Sequence, residues 1–266
     1  MTRRGTGGPA GPAPDPAGPA GPAPGPVGPA APALVPVRSG PAPRAARAAV
    51  LVLHGGRADD LRPPDRLSLP ALRMRPFEAA IARATGDGVL VARVRYRHRG
   101  WNGRHAHPVA DVRHALDELR ALAGPLPVVL VGHSLGGRAA LRAAADPGVT
   151  AVVALAPWCP PAEPTAHLDG RTVVALHDEA DRVTSAADTW SYLTRAQGAG
   201  ARVRGISMPA GGHAMLRDAR RWHRLTAQVT AALLGLGPLP AALADSPAWA
   251  GRPHPLRTDG AGPAAR

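Results

Sequence analysis

Six short apolar runs, spread along the middle of the chain, most constrain how it can fold. They are AVLVLHGG from Ala49, GVLVARVRY (88–96), PVVLVGHS (127–134), VTAVVALAP (149–157), RTVVALH (171–177) and ARVRGIS (201–207). Each is near-continuous in apolar residues rather than alternating, as strands buried on both faces of a parallel sheet are. Helical patterns lie between them. PFEAAIARATG opens with Pro76 in its first turn and stops near Gly86. DVRHALDELRAL (111–122) sets Val112, Ala115, Leu116, Leu119 and Leu122 on one face. LGGRAALRAAADPG ends before Pro147, and SAADTWSYLTRAQG holds Ser185 and Asp188 in a capping-box relation with Asp in place of Glu. AMLRDARRWHRLTAQVTAALLG is the last helical stretch. Strand and helix alternate throughout, so the expected fold class is α/β: a three-layer α/β/α sandwich with a mostly parallel, doubly wound sheet.

The flanks are different. Residues 1–48 are mostly Pro, Ala and Gly, and proline at that density removes backbone donors and fixes φ. The Gly–Pro spacing is irregular, which argues against a collagen helix. This arm is expected to be disordered, and so is the tail 237–266; residues 49–236 are long enough for one well-cored domain. The formal net charge is +13 and all 32 basic residues are arginine. They are scattered, and aromatics make up 3%, so the basic stripe with interleaved aromatics that marks a nucleic-acid or membrane surface is absent. Neither nucleic acid nor membrane is expected as a partner. Cys159 is the single cysteine, which leaves no intrachain disulfide and no metal-cluster spacing. Prolines interrupt every candidate h-region following Arg3-Arg4, so no export signal is read there and a cytoplasmic location is expected.

In open α/β sheets, ligands bind beyond the carboxyl ends of the strands, so the chemistry is sought in the loops there. Gly132-His133-Ser134-Leu135-Gly136 matches G-x-S-x-G, between an apolar strand and an Ala-rich helix, the context the motif requires. Ser134 needs a base. Of the eleven histidines, His213 lies in a Gly-rich loop after the last strand and before the last helix. The base needs an orienting acid, placed between the two in chain order, at a strand's carboxyl end. HDEADRVT (177–184) lies there and holds Asp178, Glu179 and Asp181. Oxyanion donors are expected from the backbone N–H of Leu135 and of Gly56, with Arg57 as the alternative to Gly56.

HGG, GHSLGG, HDEADRV and GGH, in that order, resemble the α/β-hydrolase superfamily from about Ala49 to Gly235. The resemblance implies Asp181 as the acid of a Ser134–His213–Asp181 triad, with Asp178 as runner-up and Asp178 and Glu179 otherwise as turn residues. It implies a serine hydrolase acting on a small-molecule carboxylic ester or thioester, with no metal and no organic cofactor. Peptidases, acyltransferases and cofactor-free haloperoxidases share this machinery, and a non-catalytic binding protein is the contrasting reading. The interval PWCPPAEPTAHLDG is too short and Pro-rich for the cap domain many relatives carry, so the chain is similar to compact, dienelactone-hydrolase-like members. ALVPVRS (33–39) offers one short opening strand, and about six or seven strands are expected. Arg57, Trp101 and Trp158 are the substrate-binding candidates. The loop RYRHRGWNGRHAHP (95–108) adds Arg97 and Arg99, for which a hydrogen-bonded surface role weighs slightly more.

Overall fold

A computed structural model of the chain describes residues 33–37, 42–65, 67–240, 243 and 253–255. The strands are β1 (Leu34–Pro36), β2 (Ala48–Leu53), β3 (Val89–Val94), β4 (Val128–His133), β5 (Val149–Leu155), β6 (Thr172–Asp178), β7 (Arg202–Met208) and β8 (His254–Pro255). The helices are α1 (Leu69–Thr85), α2 (His107–Ala123), α3 (Leu135–Ala143), α4 (Ala186–Gly198) and α5 (Ala219–Leu233). The eight strands form one sheet in the order β1-β3-β2-β4-β5-β6-β7-β8. β1 pairs antiparallel with β3, and every other pair is parallel. The six apolar runs are the six long strands; β1 and β8 are short additions at the edges.

Both faces of the sheet are covered, which is why most of those runs are continuous; ARVRGIS alternates, and Arg202 of β7 is exposed. Val50, Val52, Val129, Val131 and Val153 point to one face and pack with Phe77 and Ile81 of α1 and Trp222 and Val229 of α5. Their neighbours Leu51, Leu53, Leu130, Val152 and Ala154 point to the other, against Val112 and Leu116 of α2, Ala139 of α3 and Leu193 of α4. The strand period of two sorts residues between two cores.

Four boundaries depart from the sequence reading. β1 falls on the short opening strand offered by ALVPVRS, but inside the arm 1–48 otherwise expected to be disordered. Leu34 is buried, and the N–H groups of Ala33 and Leu34 donate to Glu118 of α2 at 3.1 and 2.7 Å. The disorder expectation is therefore corrected for 33–37 and 42–48; residues 1–32 and 38–41 lie outside the described residues. In the tail, Leu243 is buried and β8 pairs with β7, and apart from Pro253 the other residues beyond 240 lie outside the described set. α1 starts at Leu69 rather than Pro76, with Pro70 in its first turn and Pro76 inside. Pro76 removes one donor from the helix, but Met74, Phe77 and Ile81 on either side are buried, and that burial holds the helix together. α5 starts at Ala219, because Met215 and Asp218 take positive φ (56° and 55°) and break the helical path before it.

After β2 the chain steps to β3 on one side, then returns to place β4 on the other side of β2. This reversal opens a crevice at the carboxyl ends of β2 and β4, where doubly wound sheets bind ligands. Between β5 and β6 the chain forms only a short 3-10 turn, Ala166–Leu168, so no cap domain is inserted there.

Candidate active site

Ser134 occupies the sharp turn from β4 into α3 with φ 55° and ψ −119°, a conformation that strains any residue with a Cβ. The turn is tight because its neighbours have no side chain. A Cβ on Gly132 would overlap the Gly136 carbonyl oxygen, and one on Gly136 would lie 2.5 Å from the His54 carbonyl oxygen. The Ser134 N–H donates to the Leu155 carbonyl at 3.0 Å, while its own carbonyl accepts from Arg138 N at 3.1 Å and Trp158 N at 3.2 Å. The strained residue is thus fixed from β5, from α3 and from the loop after β5.

His213 reaches Ser134 from the loop after β7, with Nε2 2.9 Å from Ser134 Oγ. Its Nδ1 lies 2.8 Å from Asp181 Oδ2. An ionised carboxylate only accepts, so Nδ1 carries the proton and Nε2 turns a lone pair to the serine hydroxyl. This arrangement can take a proton from Ser134 Oγ and stabilise the resulting imidazolium. The loop is held on both sides: Asp178 Oδ2 accepts from Gly212 N at 2.7 Å, and the His213 carbonyl meets His133 Nε2 at 2.8 Å. Gly212 itself takes φ 55°.

The three carboxylates of HDEADRVT separate. Asp178 binds the backbone of Ala180 and Gly212, and Glu179 accepts from Trp190 Nε1 at 2.9 Å. Asp181 alone meets the His213 ring. Its Oδ1 accepts from Val183 N and Thr184 N at 2.8 and 3.2 Å, and its Oδ2 also meets His177 Nε2 at 3.2 Å. Burial raises the pKa of Asp181, but the combined hydrogen bonds from His177, Val183, His213 and Thr184 outweigh it and hold the carboxyl well below its usual range. Among the described residues no group of three or more His, Cys, Asp or Glu side chains is placed to hold a metal ion. Cys159 is buried, and burial above all pushes its thiol pKa well up, against the trend needed for a nucleophile.

A family model described as the alpha/beta hydrolase family matches residues 50–258. The chain belongs to the α/β-hydrolase family. Solved structures of this fold resemble it at low identity. Est1E from Butyrivibrio proteoclasticus, solved with ferulic acid, is 12% identical with a TM-score of 0.52, over 71% of this chain and 90% of that one. The esterase domain of a Rhodothermus marinus protein is 18% identical with a TM-score of 0.51, over 75% and 89%. An a/b serine hydrolase without lid from Xanthomonas campestris is 20% identical with a TM-score of 0.50, over 74% and 84%. No curated protein sequence matches.

In this α/β-hydrolase the Gly55–Gly56 turn after β2 lies against the elbow. A Cβ on Gly55 would sit 3.4 Å from Ser134 Cβ, and one on Gly56 would touch the Leu135 side chain. The N–H of Arg57 is committed to the Arg99 carbonyl at 2.9 Å, which removes Arg57 as an alternative oxyanion donor. Among the described residues the N–H groups of Gly56 and Leu135 have no such partner. Beside Gly55 and Gly56 opens a cavity of about 440 Å³, lined also by Arg57, Leu67, Leu69 and Arg99. Arg97 and Arg99 are tied elsewhere, to Asp111 and Asp65. The Trp101 backbone N–H donates to the Arg57 carbonyl at 2.9 Å, while the Trp101 and Trp158 rings pack edge to face, 6.2 Å apart, around Arg138. A separate cavity of about 480 Å³, by Leu116, Pro125 and Pro147, lies at the amino ends of β4 and β5, away from these groups.

Three further side chains meet Asp181 and His213. His177, fully buried, joins Asp181 to Thr189 Oγ1 (2.9 Å). Thr184 Oγ1 lies 3.0 Å from Asp181 Oδ2 and 3.1 Å from His213 Nδ1. His133 holds the His213 carbonyl. The only sequence signal for them was their place inside motifs already chosen for other residues.

Proposed function

We propose that this α/β-hydrolase is a serine esterase acting on small carboxylic esters or thioesters. Ser134 Oγ attacks the acyl carbon as His213 Nε2 takes its proton. Asp181 orients the ring and stabilises the imidazolium, and the N–H groups of Leu135 and Gly56 receive the oxyanion. The proton on His213 passes to the leaving alcohol or thiol. Water, deprotonated by His213, then attacks the acyl-enzyme, releasing the acid and returning the proton to Ser134. The observation that carries this reading is the continuous hydrogen-bonded series Ser134 Oγ, His213 Nε2, His213 Nδ1, Asp181 Oδ2, at 2.9 and 2.8 Å. The uncapped crevice and the esterase neighbours support the substrate class. The test is a fluorophosphonate probe followed by mass spectrometry of the labelled peptide. Labelling at Ser134, lost in Ser134→Ala, is expected; a folded protein that does not label there is a binding protein instead.

A further inference from the structure

Arg138 lies one helical turn beyond Ser134 on α3, a rise of about 6 Å along the axis. Its guanidinium is held on several sides. Nε donates to Glu163 Oε2 at 2.6 Å, and Glu163 is fully buried. The guanidinium carbon sits 3.8 Å from the Trp101 ring centre and 4.4 Å from that of Trp158. Only 11% of the side chain is exposed. Among the described residues no acceptor reaches either Nη atom, although Arg138 lines a cavity of about 350 Å³ with Ala58, Asp59, Trp101, Trp158 and Pro160.

The charge at this position is unbalanced. The single Glu163 carboxylate is shared by Arg138 and Arg142, and the Glu163 backbone carbonyl accepts from Arg195 Nη1 at 2.7 Å. Two guanidinium groups thus face one carboxylate. Asp59 stands exposed in the cavity lining and makes no ion pair with Arg138. A guanidinium fixed through Nε and both ring contacts keeps its end-on Nη1/Nη2 edge, which matches the two oxygens of a carboxylate. The segments around the cavity also border the nucleophile: Trp158 N and Arg138 N both donate to the Ser134 carbonyl, and Ala58 follows the Gly55–Gly56 turn closely.

Resting on the esterase reading, we propose that the substrate carries a second, free carboxylate, bound end-on by Arg138 beneath Trp101 and Trp158. Hemiesters of short dicarboxylic acids carry such an anion a few bonds from the scissile carbonyl. Arg138 is thus a specificity-determining residue, separate from the triad.

Mono-4-nitrophenyl glutarate and 4-nitrophenyl pentanoate share an acyl chain length and differ in the terminal carboxylate. The wild-type enzyme is expected to favour the glutarate by roughly 10- to 100-fold in kcat/KM, mostly through KM, as a charge-assisted pair implies. In Arg138→Gln that ratio falls to about one, and in Arg138→Lys it is intermediate, because a point charge replaces the fork. A ratio cancels any general loss of activity. Wild-type turnover of both esters without a preference for the glutarate overturns the proposal. A second readout does not need catalysis: titrating wild-type protein with free glutarate at constant ionic strength and following tryptophan fluorescence. A saturable change, absent in Arg138→Gln, is expected; no saturable change overturns the carboxylate site. Failure of Ser134 to label with fluorophosphonate, alongside saturable glutarate binding, would instead sink the esterase reading and leave the site standing.

Discussion

Asp178 and Asp181 stand three residues apart and meet different partners. Asp181 faces the His213 ring, while Asp178 ties the end of β6 to the backbone of the His213 loop. Asp181→Asn is expected to lower kcat by about 10³- to 10⁴-fold, since an amide no longer enforces the tautomer. Asp178→Asn keeps an acceptor for Gly212 N and should cost less than about tenfold. Steady-state kinetics on one chromogenic ester separates the two, and the opposite ranking would move the acid to Asp178. At this scale Ser134 and His213 were legible because each sits in a glycine-rich loop at a strand's carboxyl end. Chain order narrowed the acid to one short segment, and pattern favoured Asp181. His177, Thr184 and His133 were not legible in these roles. Each acts through a contact whose partner is fixed by how β6, α4 and the loop after β7 come together, and a buried polar residue leaves no periodic trace.

Strands were easier to read than helix starts. All six apolar runs are strands, with ends within three residues of the reading, because burial on both faces marks most positions. The starts of α1 and α5 were misplaced. Ser68 and Asp218 stand at their N-caps, yet neither makes a side-chain capping bond, so the local signal of a helix start is absent. β1 was weaker still, three residues beside a long proline-rich stretch. Its contribution can be measured. A chain beginning at Ala46 loses buried Leu34 and both bonds to Glu118. Burial of one leucine contributes about 2 kcal/mol, so the melting temperature should fall by several degrees. An unchanged melting temperature would show that β1 adds nothing to the sheet.

For the whole molecule, acid should weaken the fold before it protonates Asp181. His133 is buried, and desolvation above all, then the nearby His213 and Arg73, lowers its pKa from 6.5 to about 3, against the His213 carbonyl bond and Asp181, which raise it. The unfolded chain takes up that proton first. Stability from neutral His133 is therefore complete above pH 6.5 and falls by up to ~1.4 kcal/mol per unit as the pH drops toward 3. Denaturant melts between pH 8 and 4.5 should show the decline, and His133→Gln, which keeps a donor for the His213 carbonyl, should flatten it; parallel slopes would contradict the assignment. The bond from His133 to the His213 carbonyl joins residues 80 apart in the chain. The first variable position of G-x-S-x-G is then no wildcard in this chain. A substitution there also removes a bond that holds the loop after β7, so motif and loop are mechanically one unit.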